Sequence, residues 1–235
     1  MSENGKYERD GGFAHFVKKM GEATSPQPAD RAVIERFRGR LPAQMLRYWE
    51  HEGWGGWRDG LFWVVDPEDF EDVKRAWFAE TPLEPETDLW HVIGRTAFGR
   101  LYLMGEKSGA EMEIEPAFGM ITASQDKLRP QPPEKRDFKA MMFFSHRGPE
   151  ECDEQDTNDN PLFQRALKKL GPVGPDEMYG YRHMLVAGGQ NVLDNLEKTD
   201  LLSHLMLLRD LHGPASLPFW DYDIGAFASQ ALEED

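Results

Sequence analysis

The sequence predicts an α+β fold: a mostly antiparallel sheet covered by helices, arranged as two closely packed lobes. Three observations predict it. Residues 89–121 break into four short apolar stretches, LWHVIGR, RLYLMGE, AEMEIE and FGMI, separated by turn residues as in a meander. Amphipathic helical patterns lie on both sides of that block. Hydrophobic residues make up 40% of 235 positions and aromatics 11%, enough apolar surface to build a real core.

Residues 1–29, with Gly11, Gly12, Pro26 and Pro28, read as a flexible lead-in. Asp30 then caps a helix carrying Val33, Ile34 and Phe37 on one face. Pro42 opens a second helix with Met45, Leu46 and Trp49 inward, and Gly53 ends it. WGGWRDG (54–60) reads as a glycine-rich turn and LFWVV (61–65) as a short buried strand. Asp66 and Pro67 start the helix of 66–78, whose acids crowd its first turns and whose Lys74 and Arg75 follow, as the helix dipole favours. TPLEPETD (81–88) reads as a linker between an N-terminal lobe, 30–80, and a C-terminal lobe, 89–212. Within the second lobe Gly105 and Gly109 bracket a hairpin turn. FKAMMFFSH and PLFQRALKKLG read as helices, GPVGPDEMYGYRHMLVAGGQ as a loop, and NVLDNLEKTDLLSHLMLLRDLHG as one further helix. Residues 213–235 form an acidic tail.

The charge balance narrows the partners. A net charge of −15 argues against direct binding of nucleic acid or anionic lipid, both of which need clustered Lys and Arg. No stretch approaches the length of a membrane span, and the N-terminus lacks the apolar core of a signal peptide, so the expected location is cytoplasmic. A lone Cys152, set among acids that disfavour a thiolate, gives neither a disulfide nor an activated nucleophile. The seven histidines fall at no ligand spacing; His51-Glu52 lacks the second histidine of a zinc helix because position 55 is Gly. There is no phosphate-binding Gly-Lys-Ser/Thr sequence and no Gly-x-Ser-x-Gly elbow. The glycines at 53–60 precede a strand, whereas a dinucleotide fingerprint follows one. AGGQN (187–191) suits an interhelical turn better than an anion site. No catalytic, cofactor or metal residue is therefore expected.

Two windows hold most of the excess negative charge: 150–159, with six acids and no base, and 210–235, again without Lys or Arg. Such concentration suits steering toward a basic partner. The candidate contact residues are Glu150, Glu151, Asp153, Glu154, Asp156 and Asp159, acids in a predicted loop where self-repulsion has no evident structural use. Trp54 and Trp57, in the glycine-rich turn, are the candidate aromatic anchors.

Residues 41–70, LPAQMLRYWEHEGWGGWRDGLFWVVDPEDF, resemble the GAD-like domain, with its leucine-proline helix start, glycine turn and Asp-Gly-Leu-Phe strand leading to Asp-Pro. GRTAFGRLYLMGE (94–106) and residues 174–208 resemble the C-terminal domain usually paired with it. Proteins of this architecture include immunity proteins of type VI secretion systems, in particular those that guard against a DNase effector. The resemblance implies a binding protein and not an enzyme, an immunity protein that binds and neutralises a cognate nuclease toxin, with no catalytic motif to transfer. The rival reading is a non-enzymatic scaffold or regulatory module with a housekeeping partner.

Overall fold

Residues 7–83 and 88–220 are described in a computed structural model. The first helix, α1 (Gly11–Met20), begins where the Asp10 carboxylate accepts a hydrogen bond from the Phe13 amide at 2.9 Å. Its Phe13, Phe16 and Met20 point into the core. The expected lead-in is thus largely built into the body. Gly12 is there for close approach: a Cβ on it would lie 2.5 Å from Met141 Cγ. Strand β1 (Thr24–Gln27) follows, then α2 (Arg31–Phe37), capped by Asp30 as expected, and α3 (Ala43–Glu52), ended by Gly53 at φ 74°.

The WGGWRDG run is a strand and its turn. Trp54–Trp57 form β2, which pairs with β1 on one side and with β3 (Phe62–Val64) on the other. Arg58 and Asp59 take left-handed conformations at φ 49° and 57° to close that hairpin. Gly56 faces Trp63 across the pair, and a Cβ there would come 3.0 Å from the indole. After a 3-10 turn (Pro67–Phe70) started by the Asp66 cap comes α4 (Glu71–Phe78).

The sheet continues through β4 (Trp90–Thr96), β5 (Leu101–Gly105), β6 (Glu111–Glu115) and β7 (Met120–Thr122). Its order is β1 to β7 in sequence and every pairing is antiparallel. The 81–88 segment is no break in it, because β3 pairs with β4 across that boundary, Trp63 opposite Arg95. The rest of the chain supplies α5 (Pro133–His146), α6 (Pro149–Cys152), α7 (Phe163–Leu170), a hairpin of β8 (Glu177–Tyr181) and β9 (Leu196–Asp200), and α8 (Leu201–His212). Two of the predicted elements change here. The loop before 190 contains β8, and the helix predicted from 191 starts only at Leu201, where Asp200 caps it by accepting from the Ser203 amide at 2.9 Å. Asn195 explains the delay, since its side chain bonds the His183 amide and carbonyl and holds the chain in a turn. Of the acidic tail, residues 221–235 lie outside the described residues.

Alternation along the central strands sends side chains into two cores. Ile93, Tyr102 and Met104 join Phe13, Phe16, Trp49, Trp57 and Phe144, where α1, α2, α3 and α5 cover one face. Val92, Leu101 and Leu103 join Trp77, Leu205 and Leu208, where α4 and α8 cover the other. All seven residues of β4 are buried, as a strand covered on both faces requires.

Two outcomes follow from this packing. Trp57 is 1% exposed against Phe13, Phe16 and Phe62, so Trp57→Ala should cost about 3–5 kcal/mol in urea unfolding, with the half-buried Trp54→Ala costing clearly less. A fragment of residues 89–235 would expose the β3-pairing edge of β4 and the face beneath α1 and α3, and should lack cooperative unfolding and dispersed amide signals.

Candidate protein-binding face

The acidic segment turns out to be mostly framework. Asp153 Oδ1 accepts from the amides of Glu154 (2.7 Å) and Phe163 (2.8 Å), so it caps α7 from ten residues upstream. Burial pushes its carboxyl above the usual range despite those amides. Glu154 pairs with Arg100 at 2.6 Å, and burial outweighs the arginine's pull, leaving its carboxyl raised. Asp156 accepts from the Asn158 and Asn160 amides and from Arg165 Nη1 at 2.7 Å. Arg165 above all draws its carboxyl down from 3.8 to about 2. Asp159 sits at φ 58° in the turn that follows, its amide bonded to the Asp156 carbonyl. Glu150 and Glu151 are exposed on α6. The premise that these acids lack a structural use is therefore corrected for Asp153, Glu154 and Asp156; Glu150, Glu151 and Asp159 remain open to a partner. Cys152 is fully buried between them, its thiol pushed up to about 11 by burial.

The aromatic candidates separate. Trp57 is a core residue, so its reading as an exposed anchor is corrected: three positions apart on a strand, the two tryptophans face opposite sides of the sheet. Trp54 is half-buried, edge-on to Trp49 at 6.1 Å between ring centroids.

Sequence reasoning missed the apolar residues beside the acids. Phe118, 43% exposed, closes a 3-10 turn (Pro116–Phe118) and lines a shallow depression with Glu115, Arg100 and Glu154. That turn packs against another, Leu185–Ala187, which carries the equally exposed Val186. The 183–191 loop is tied back to the acidic segment through Asn191, whose carbonyl accepts from the Thr157 amide and whose side chain donates to the Gln155 carbonyl at 2.8 Å. Arg100 lies 3.8 Å from Glu113, and burial together with Glu115 and Glu154 raises the Glu113 carboxyl. One arginine among three carboxylates leaves the depression acidic. Phe118 and Val186 thus stand on adjoining turns as exposed apolar residues, with Glu115 and Glu154 beside Phe118, apolar anchors with acidic neighbours of the kind protein interfaces use. The signal for Phe118 in the sequence is an aromatic held between Pro116 and Gly119, the latter at φ 66°.

No group of three or more His, Cys, Asp or Glu among the described residues is placed to hold a metal ion. No helix among them is long and apolar enough to cross a membrane.

The GAD-like domain pattern matches residues 12–118, and the pattern of the T6SS immunity protein Tdi1, C-terminal domain matches residues 137–212. The chain is a GAD-like domain joined to a Tdi1-type C-terminal domain. That pairing supports an immunity role in type VI secretion. The GAD-like domain takes in β4 to β6 as well as the strands before them, beyond the 30–80 expected for it. Among solved structures the chain is similar to the crystal structure of Atu4351 from Agrobacterium tumefaciens, with 23% identity, a TM-score of 0.73 and coverage of 84% of this chain and 88% of that one. The likeness speaks for the fold. None of the curated proteins matches the chain. Phe118 ends the GAD-like domain and Val186 lies in the Tdi1-type domain, so the acidic face straddles their junction.

Because the Asp156 carboxyl titrates lower folded than unfolded, it contributes its stability in full above a pH of about 4 and loses it as the pH falls toward 2. Asp156→Asn should therefore flatten the acid limb of the stability profile in that window while leaving neutral-pH binding intact. An unchanged acid limb in pH-dependent urea unfolding would count against the Arg165 pairing as its cause.

Proposed function

We propose that this chain is an immunity protein that binds and neutralises a cognate nuclease effector of a type VI secretion system, a DNase, and that it acts without catalysis, cofactor or metal. The observation that carries the reading is the face at the domain junction, where exposed Phe118 adjoins Val186 and shares a depression with Glu115 and Glu154. A nuclease presents basic surface to phosphate, and a protein of net charge −15 competes for that surface or holds the enzyme away from its substrate. Direct contact with nucleic acid has no place in this reading, and the encounter with the effector is set in the cytoplasm, where an incoming nuclease would reach DNA.

Roles divide by chemistry. Glu150, Glu151 and Asp159 steer the encounter, which affects the association rate and its salt dependence. Phe118 and Val186 bury apolar area in the complex and set the dissociation rate. Exposed ion pairs are worth only about 0.2–1 kcal/mol each, so the anchors carry the affinity.

The test is co-expression with the nuclease encoded beside its gene, followed by pull-down and measurement of cell survival. Protection with a stable complex is the expected outcome; survival without complex, or a complex that leaves DNA degradation unchecked, would refute it. Replacing Glu150, Glu151 and Asp159 by Lys should slow association at low salt, with the difference shrinking as salt rises. Phe118→Ala should instead speed dissociation by about tenfold, with little change in association.

A further inference from the structure

A second cleft, of about 490 Å³, opens at the seam of the two domains and shares no lining residue with the acidic depression. Trp54, Trp63 and Val65 from the GAD-like domain form its apolar side, and Leu201 and Leu202 at the start of α8 face them. Asp66, Asp69 and Asp176 enter it from both domains.

Its walls are fixed. The Trp63 indole donates to the Gly60 carbonyl at 2.8 Å, and the Arg95 guanidinium lies 4.8 Å from the ring centre. Arg95 is itself fully buried and donates to the carbonyls of Gly174 (2.9 Å) and Pro175 (2.7 Å), so one side chain ties the tryptophan wall to the loop that carries Asp176. Among the described residues none of the three aspartates is in an ion pair. Asp66 is held up at about 6, chiefly by burial and then by Asp69 and Glu68, with Arg36 opposing; Asp69 is raised by burial and by Asp176. Arg95 behind the tryptophan acts on Asp176 and Arg36 acts on Asp66, but neither guanidinium lines the cleft, so its inner surface carries three carboxylates and no base.

We propose that this cleft is a socket for an arginine side chain of a basic protein partner. A planar guanidinium matches both halves of the lining: it stacks on indole and forks to carboxylate, and it gives up water more readily than an ammonium. Charge complementarity selects the occupant, since three carboxylates line the cleft and no basic side chain does. The socket's rigidity means that little ordering is needed on binding. That the partner is the effector rests on the function proposed above; that the cleft takes arginine does not.

Two measurements separate those claims. The first uses the full chain alone, titrated with N-acetyl-arginine N-methylamide while the indole N–H signals of Trp54 and Trp63 are followed by NMR. Saturable shifts of these two signals are expected in the millimolar range, absent with the neutral citrulline analogue and weakened about tenfold or more in a variant carrying Asp66→Asn, Asp69→Asn and Asp176→Asn. Asparagine keeps the capping ability of position 66, and the urea midpoint verifies that the variant folds. No saturable shift, or equal shifts from the citrulline analogue, would overturn the proposal. The second measures effector dissociation from the same variant, expected to be about tenfold faster. Unchanged dissociation from a complex that still forms would overturn the effector's arginine as occupant, whereas failure of any complex to form would refute the proposed function and leave the titration to decide the socket.

Discussion

A strand with no solvent-facing side is the constraint on which the rest of this structure depends. Every residue of β4 is buried, which demands a layer of helices on each face of the sheet. The strand belongs to the GAD-like domain, but much of its cover does not: α5 packs over Ile93, Tyr102 and Met104, and α8 over Val92, Leu101 and Leu103. Both helices lie beyond residue 118. The GAD-like sheet therefore reaches its buried state only with the Tdi1-type domain wrapped around it, and the pairing of the two is a matter of folding as much as of function.

Burying β4 also buries a charge, and that charge organises the seam. Arg95 cannot reach water, so its guanidinium takes backbone carbonyls at 174 and 175 and the face of Trp63. It fixes how the C-terminal hairpin meets the sheet. The surfaces on which a partner could act, Phe118 with Val186 and the Trp54–Trp63 cleft, both consist of residues from the two domains. Neither would persist in an isolated domain.

Local signals in the sequence were legible and distant ones were not. Asp30, Asp66 and Gly53 announced helix ends through chemistry confined to a few residues, and the meander of β4 to β7 followed from its alternating runs and turns. Gly12 misled because its reason lies at Met141; read alone, two glycines look like a flexible lead-in. The acidic segment misled in the same way: Asp153 serves a helix ten residues on, and the arginine of Glu154 is fifty-four residues back. What the family resemblance added was the role; what neither it nor the charge pattern supplied was the pair of exposed apolar residues, Phe118 and Val186.

The measurement that tests this account most directly is amide hydrogen exchange of the full chain, free and in the presence of the effector. The account predicts slowed exchange in the complex around Ala117 to Gly119, across 150–159 and in the 183–190 loop, with the core strands unchanged. A complex that forms while those three segments exchange as freely as before, with protection confined to the α2–α3 face, would contradict it.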